Sequence, residues 1–162
     1  MNNKVVIGIG IGCLLLCAIV GIGFLLLTGF FVKAALEEPE NVEITLTAPI
    51  EVVKGEDFIV EVEVANLANT PQELNSIDID LGYLEGARIN KTEPPYTIFS
   101  DSDFIEEYHS YYFKHPIPAN DKLTVKFYMT ALKTGDFSGV FDVCINSASL
   151  CTEQYNRIII TE

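Results

Sequence analysis

The stretch Phe58-Ile59-Val60-Glu61-Val62-Glu63-Val64 decides the fold of the domain that contains it. Phe58 and the three valines occupy every second position, with Ile59 and the two glutamates between them. Since successive side chains of a β-strand point to opposite faces, this pattern predicts a strand with one face buried in a core. Phenylalanine and the β-branched residues also favour extended structure. We therefore expect an all-β domain around this strand.

The same period of two recurs on both sides of this strand. Longer strands are predicted at Val42–Ala48, Ile77–Tyr83, Tyr108–Lys114, Leu123–Ala131, Phe137–Ile145 and Cys151–Thr161, with shorter extended pieces at Ile50–Val53, Ala87–Lys91 and Tyr96–Phe99. Turn-forming residues separate them, including a predicted hairpin turn at Thr134-Gly135-Asp136, and no convincing helical period follows residue 41. Seven to nine short strands at spacings of about 8–12 residues predict an antiparallel β-sandwich over residues 42–162.

Residues 5–32 form a long apolar run without a charged residue. As a helix at about 1.5 Å per residue it would reach about 42 Å, more than the roughly 30 Å of a bilayer's hydrocarbon core. A helix satisfies its own backbone hydrogen bonds, so it can cross lipid in a single pass. We therefore predict a short tail at 1–4, a transmembrane signal anchor at 5–32, an acidic stalk at 33–41 and one folded domain at 42–162.

Two other interpretations of the N-terminus compete with the anchor. A cleaved signal peptide fits the motif Val32-Lys33-Ala34, but its apolar region would be only about 7–15 residues long. A lipoprotein requires a cysteine at the end of the apolar region, whereas the apolar sequence continues well beyond Cys13 and Cys17. An uncleaved anchor fits best. Basic residues are nearly balanced around the run, so the positive-inside rule scarcely determines its orientation.

Gly8 and Gly12 are candidate helix-packing residues within the predicted anchor. Their GxxxG spacing lets two membrane helices approach closely, either in an oligomer of this chain or in a complex with another membrane protein. Glycine is common in membrane helices, so incidental small residues are the competing explanation.

The charge is strongly unbalanced toward acid. Lys4 is the only basic residue before position 33, so the remainder carries 9 basic and 23 acidic side chains, a net charge of −14. A surface this negative repels phosphate backbones and anionic headgroups. We therefore expect no nucleic-acid partner and no peripheral docking to lipid through basic residues.

Cys144 and Cys151 flank a predicted hairpin. If Ser147-Ala148 forms a two-residue turn, position 144 lies opposite position 151, with Cα atoms about 4.5–5.5 Å apart, which is inside the disulfide range. A disulfide requires an oxidising compartment and places the domain outside the cytosol. Two reduced thiols or half of a metal site are the alternatives. Only His109 and His115 offer further nitrogen ligands, so we expect no metal.

Three segments together resemble a known group of domains. They are Ile50–Asn66, Ala131-Leu132-Lys133-Thr134-Gly135-Asp136, and Phe141-x-Val143-Cys144. They resemble bacterial and archaeal Ig-like surface domains of the CARDB type, named for their relatedness to cell-adhesion domains. The resemblance implies an extracytoplasmic Ig-like sandwich used for adhesion, spacing or protein–protein contact. It implies no catalytic residues.

The sequence contains no recognisable catalytic or cofactor motif. It has no Gly-x-Ser-x-Gly, no phosphate-binding loop and no HExxH. The two histidines are separated by a predicted strand, and we interpret them as solvated or packing residues. We expect no catalytic residue, no cofactor and no enzymatic activity.

The segment Tyr96–His115 is the candidate partner-binding region because it interleaves aromatic and acidic residues. Tyrosines next to carboxylates suit contact with a protein or a surface glycan. The candidate contact residues are Phe104, Tyr108, Tyr111 and Tyr112. The competing interpretation is that the aromatic rings close one end of the sandwich and that the acids are solvated, since no glycine-bearing calcium loop follows.

Together these features predict a non-enzymatic single-pass membrane protein that presents an extracytoplasmic Ig-like domain for adhesion or protein–protein contact. The alternative function is an accessory subunit of a membrane transport or secretion complex, docked through its transmembrane helix.

Overall fold

The computed structural model describes residues 39–101 and 108–162. The predicted tail, the predicted transmembrane helix with Gly8 and Gly12, most of the predicted stalk, and Phe104 lie outside the described residues. The alternative function as a helix-docked subunit rests on those residues and stays a prediction. Within the described ranges, no helix has the length and apolar character needed to span a bilayer.

The described residues form ten strands and a single helical turn. In chain order the elements are β1 (Val42–Thr47), β2 (Glu51–Val53), β3 (Asp57–Asn66), β4 (Gln72–Asp80), α1 (Leu81–Leu84), β5 (Ala87–Glu93), β6 (Ile98–Asp101), β7 (Tyr108–Ile117), β8 (Lys122–Ala131), β9 (Gly135–Ile145) and β10 (Cys151–Thr161). The strand count exceeds the predicted seven to nine because the short pieces β2 and β6 both pair at a sheet edge.

The strands form two sheets that pack as a β-sandwich. One sheet has four strands in the order β1-β3-β8-β5, and the other has six in the order β2-β10-β9-β4-β7-β6. Neighbouring strands run antiparallel, as predicted, except that β2 pairs parallel to β10. The sequence did not indicate that pairing, because it joins residues 51–53 to residues 159–161.

The core lies between the two sheets and confirms the alternation from which the fold was predicted. Phe58, Val60, Val62 and Val64 of β3 are all buried. Phe127 of β8 links the sheets, because its ring makes edge-on contacts to three aromatic rings of the six-stranded sheet: Tyr111 (5.8 Å between centroids), Phe113 (6.2 Å) and Phe141 (6.3 Å).

The predicted strand Ile77–Tyr83 ends earlier than its alternation suggested. β4 stops at Asp80, whose carboxylate accepts a hydrogen bond from the Gly82 N–H at 2.6 Å and caps α1. A side-chain acceptor at this position satisfies a backbone donor that the first helical turn leaves unpaired. The expectation of no helix was therefore wrong for this one turn. Tyr83 still enters the core, edge-on to Phe141.

The predicted hairpin at Thr134-Gly135-Asp136 was also wrong. β8 pairs with β3 on one side and β5 on the other, so it has no free edge for β9. The chain instead crosses at this point from the four-stranded to the six-stranded sheet, where β9 pairs with β4 and β10.

Candidate binding surface

The candidate region begins where the chain leaves β5 and crosses to the edge of the six-stranded sheet. The Tyr96 N–H donates to the Thr92 hydroxyl at 3.1 Å, and the Thr97 N–H donates to the Tyr112 carbonyl at 2.7 Å. Thr92 is itself buried, so the first bond anchors the crossing segment to β5. The second bond starts the pairing of β6 with β7, in which Phe99 lies opposite Tyr111.

Tyr111 lies in the core. Its side chain is only 6 % exposed, and its ring contacts Phe127 across the sandwich. Burial raises the pKa of the Tyr111 phenol to about 12, with a smaller contribution from Tyr96. The geometry gives Tyr111 a packing role, and its predicted contact with a partner stays a prediction.

Tyr108 and Tyr112 are partly buried on the other face of β7. Tyr112 lies opposite Ser76 of β4 and opposite Ile98 of β6. The structure therefore does not bring the three predicted tyrosines together into one surface. Tyr111 faces the core, and Tyr108 and Tyr112 face away from it.

Three apolar side chains at this edge are exposed, and we call them the edge patch: Tyr96 (40 % exposed), Ile98 (53 %) and Phe99 (42 %). Tyr96 and Phe99 each contact the Tyr111 ring, at centroid distances of 5.4 and 5.3 Å. The buried tyrosine thus fixes two exposed rings in place. Sequence reasoning placed these residues in the candidate segment but not among the contact residues. No local signal in the sequence separates them from the other aromatic residues of that segment.

The strand that carries Ile98 and Phe99 of the edge patch has one open side. Among the described strands, β6 pairs only with β7 and ends the six-stranded sheet. Ile98 and Phe99 are consecutive, so they point to opposite faces of β6 and both are exposed. An edge strand with unpaired backbone groups and apolar side chains is a template for another extended chain. This edge can therefore receive a partner strand.

The histidines do not form a catalytic arrangement with each other. The His109 ring packs edge-on against Phe99 at 5.1 Å, and His115 Nδ1 lies 3.0 Å from the Pro116 carbonyl oxygen. In the part of the chain that the structure describes, no three His, Cys, Asp or Glu side chains are grouped so that they could hold a metal ion.

The predicted disulfide between Cys144 and Cys151 is confirmed. The two residues lie directly opposite each other on β9 and β10, in the predicted register. The turn differs by one residue from the prediction, because the Leu150 N–H donates to the Ser147 carbonyl at 3.4 Å and Asn146 has a left-handed backbone, φ 62°. Asparagine tolerates that conformation better than most residues.

A row of three carboxylates crosses the six-stranded sheet beside the disulfide. Asp142 of β9 lies directly opposite Asp78 of β4 on one side and Glu153 of β10 on the other. Burial, together with the neighbouring charges of Glu153 and Asp78, raises the pKa of the Asp142 carboxyl to about 6. Asp142 therefore takes up a proton closer to neutral pH than an ordinary aspartate does.

Comparisons with known proteins give only a fold. No protein-family model matches the chain, and no curated protein matches it. Among solved structures, it is similar to AvmM, which catalyses macrocyclization in alchivemycin A biosynthesis, with 11 % identity, a TM-score of 0.50, and coverage of 76 % of this chain and 90 % of that one.

Two further similarities are weaker. The cupredoxin domain of amoB from Nitrosocaldus yellowstonii is 13 % identical, with a TM-score of 0.47 and coverage of 77 % of this chain and 90 % of that domain. A cohesin module of a family 33 glycoside hydrolase from Clostridium perfringens is 12 % identical, with a TM-score of 0.46 and coverage of 75 % and 97 %. At such identities a likeness says nothing of activity or ligand.

Proposed function

We propose that this chain is a non-enzymatic, single-pass membrane protein that presents an Ig-like domain outside the cytosol for adhesion or protein–protein contact. The observation that supports the contact role is the edge patch, which lies on β6 and directly before it, at the open edge of the six-stranded sheet. Monomeric domains usually protect such edges with charges, proline or a covering element. Exposed aromatic and aliphatic side chains at an open edge instead favour an interaction surface.

The proposed location is supported by the apolar run at 5–32 and by the disulfide. Cys144 and Cys151 are bonded to each other, and such bonds persist in oxidising compartments. In intact cells, a membrane-impermeant maleimide should label the pair only after reduction with an impermeant reductant. Labelling that requires permeabilised cells would place the domain in the cytosol and overturn this part of the proposal.

The proposed contact is the addition of a partner strand to β6. Backbone hydrogen bonds along the open edge would supply affinity, and pockets of the partner that receive Ile98 and Phe99 on the two faces would supply specificity. The net charge of −14 beyond residue 32 disfavours polyanionic partners. A protein with an exposed strand of complementary shape, neutral or basic, fits this edge.

Site-specific photo-crosslinking of the full chain in its own cells tests this contact. A photoreactive phenylalanine analogue replaces Ile98 in one variant and Tyr155 in a control variant. Tyr155 is 68 % exposed on β10, so it is at least as accessible to solvent. We expect a discrete adduct of higher mass from position 98 and none from position 155.

A second pair of variants separates loss of contact from loss of fold. Ile98→Ser together with Phe99→Ser should abolish the adduct formed from a probe at Tyr96 and lower the melting temperature only modestly, because both side chains are partly exposed, although Phe99 also packs on Tyr111 and His109. Tyr111→Ser should lower the melting temperature strongly, because that ring is buried. Equal adducts from positions 98 and 155, or none from either, would refute the proposed contact.

A further inference from the structure

A cavity of about 430 Å³ lies at the four-stranded sheet, lined mostly by outward-facing residues and also by the core residues Phe58 and Met129. β3 contributes Asp57 and Ile59 to its wall, β8 contributes Tyr128, and β5 contributes Asn90 and Lys91. A volume of about 300–1,000 Å³ is typical of a small-molecule site. It is separate from the edge patch, which lies on the last strand of the other sheet.

The polar wall of this cavity is held in place by a chain of hydrogen bonds. The Thr130 hydroxyl donates to Asp57 Oδ1 at 2.6 Å, and Asn90 Nδ2 donates to the Thr130 oxygen at 2.7 Å. Asn90 Oδ1 in turn accepts from Arg88 Nε at 3.3 Å. The ladder between β5 and β8 shifts register between Ile89 and Lys91, so Asn90 occupies the extra position of a bulge. Bulges commonly redirect a side chain toward a site.

The aromatic part of the wall is also oriented. The Tyr128 hydroxyl donates to Glu93 Oε2 at 2.8 Å, which fixes the ring over the sheet. Ile59, directly opposite Tyr128 on β3, is 39 % exposed and extends the apolar surface. Lys91 Nζ lies 4.2 Å from the centroid of the Tyr128 ring. An exposed cation–π contact is weak, and the lysine stem is flexible, so a ligand can displace the ammonium group and then bond with it.

The chemistry of these groups indicates the class of ligand. The wall pairs one carboxylate, Asp57, with one ammonium, Lys91, in a domain that is otherwise strongly acidic. Balanced charge suits a neutral ligand, and the exposed amide and carboxylate can exchange their water for the hydroxyl groups of a ligand. An aromatic ring beside an aliphatic side chain suits the C–H face of a sugar ring. We propose that this cavity binds a pyranose unit of a neutral saccharide.

The contacts of Asn90 support a role in the wall over a role as a glycan attachment site. Asn90-Lys91-Thr92 is a glycosylation sequon, and such triplets often arise by chance. Here the Asn90 amide nitrogen is already bonded to Thr130, and Thr92 is 7 % exposed with its hydroxyl bonded to the Tyr96 N–H. The amide that a glycan would modify is therefore engaged within the sheet surface.

The test uses the full chain purified in detergent. It is applied to a glycan array that carries neutral hexose and N-acetylhexosamine oligosaccharides beside sialylated and sulfated ones. The strongest neutral oligosaccharide is then titrated by calorimetry. Tyr128→Ala and Asp57→Asn should each weaken binding about tenfold or more, because each removes stacking or a charge-assisted hydrogen bond.

Two further variants keep the test independent of folding. Tyr128→Phe should bind within about twofold of the original chain, because the hydroxyl is engaged with Glu93 and the ring is retained. Tyr155→Ala, on the other sheet, should bind unchanged. The proposal is overturned if no neutral glycan binds above background, if sulfated or sialylated glycans are preferred, or if Tyr128→Ala binds as well as Tyr128→Phe. A failure here leaves the crosslinking result at position 98 unaffected.

Discussion

Replacing Asp142 by asparagine should stabilise the protein at neutral pH. Asp142 is partly buried and stands between two further carboxylates, Asp78 and Glu153, in directly opposed register. Like charges directly opposite each other on neighbouring strands are destabilising. Asparagine keeps the shape of the side chain and removes its charge. The substitution therefore removes the repulsion from Asp78 and Glu153 and most of the cost of burying the Asp142 charge.

The sign and size of the effect follow from the raised pKa. The carboxyl of Asp142 titrates near 6 in the folded chain, while in the unfolded chain it titrates near 4. Between these values the folded state binds more protons than the unfolded state, so stability falls as pH rises from about 4 to 6 and stays lowered above it. Each pKa unit corresponds to about 1.4 kcal/mol in the free energy of unfolding, so the full shift corresponds to about 3 kcal/mol. Solvent screening of a partly exposed group reduces this effect to about 1 kcal/mol.

The assay is thermal and urea unfolding of the full chain at pH 4, 5, 6 and 7.5. Asp142→Asn should raise the melting temperature by about 3–5 °C at pH 7.5, and the gain should vanish by pH 4. Asp136→Asn is the matched control on the same strand. Its carboxylate is exposed and bonded to Arg157, which lowers its pKa, so neutralising it should give a small loss that persists down to pH 4, where the carboxylate is still charged in the folded state. An Asp142→Asn variant that is no more stable than the original chain at pH 7.5, or equally more stable at every pH, would refute the reasoning.

Three other predictions concern the disulfide and two buried polar groups. Replacing Cys144 and Cys151 by serine should lower the free energy of unfolding by about 2.5 kcal/mol, and reductant should affect the original chain but not the variant, in urea titrations. Asn66→Ala should lower it by about 3 kcal/mol, because that side chain is 1 % exposed and bonds four backbone groups; unchanged urea midpoints would contradict this. Tyr83→Phe should lower the free energy of unfolding by about 1 kcal/mol, since the Asn156 amide loses the acceptor to which it donates at 3.1 Å. Adding Asn156→Ala to the Tyr83→Phe variant should then lower it little further.

The strands and the disulfide could be predicted because their signals are local. A buried face fixes the period of two, so the alternation from Phe58 to Val64 determines which side chains enter the core. The register of Cys144 and Cys151 follows from a short hairpin, whose geometry depends on few residues. An extra residue in the turn would have changed this register, but in the structure Cys144 and Cys151 lie directly opposite each other, as predicted.

The features that could not be predicted from the sequence depend on which distant strands become neighbours. Nothing near Glu51–Val53 indicates that it pairs with the end of β10, and nothing near Gly135 shows that both sides of β8 are already occupied. The burial of Tyr111 and the exposure of Tyr96 could not be separated by sequence, since both are tyrosines in the same aromatic segment. The cavity around Tyr128 is assembled from three strands far apart in the chain. Such features arise from tertiary packing, which local sequence patterns do not predict.

The position of Phe127 between the two sheets has a consequence for the order of events during synthesis. The four-stranded layer cannot close before Lys122–Ala131 has been made, because that segment pairs with both β3 and β5, and its phenylalanine also meets the opposite layer. Folds dominated by such distant pairings form slowly, in about milliseconds to seconds. Until then the valine row of β3 is not covered by its partner strand, and charges such as those of Glu61 and Glu63, which alternate with the valines, disfavour aggregation of an exposed strand.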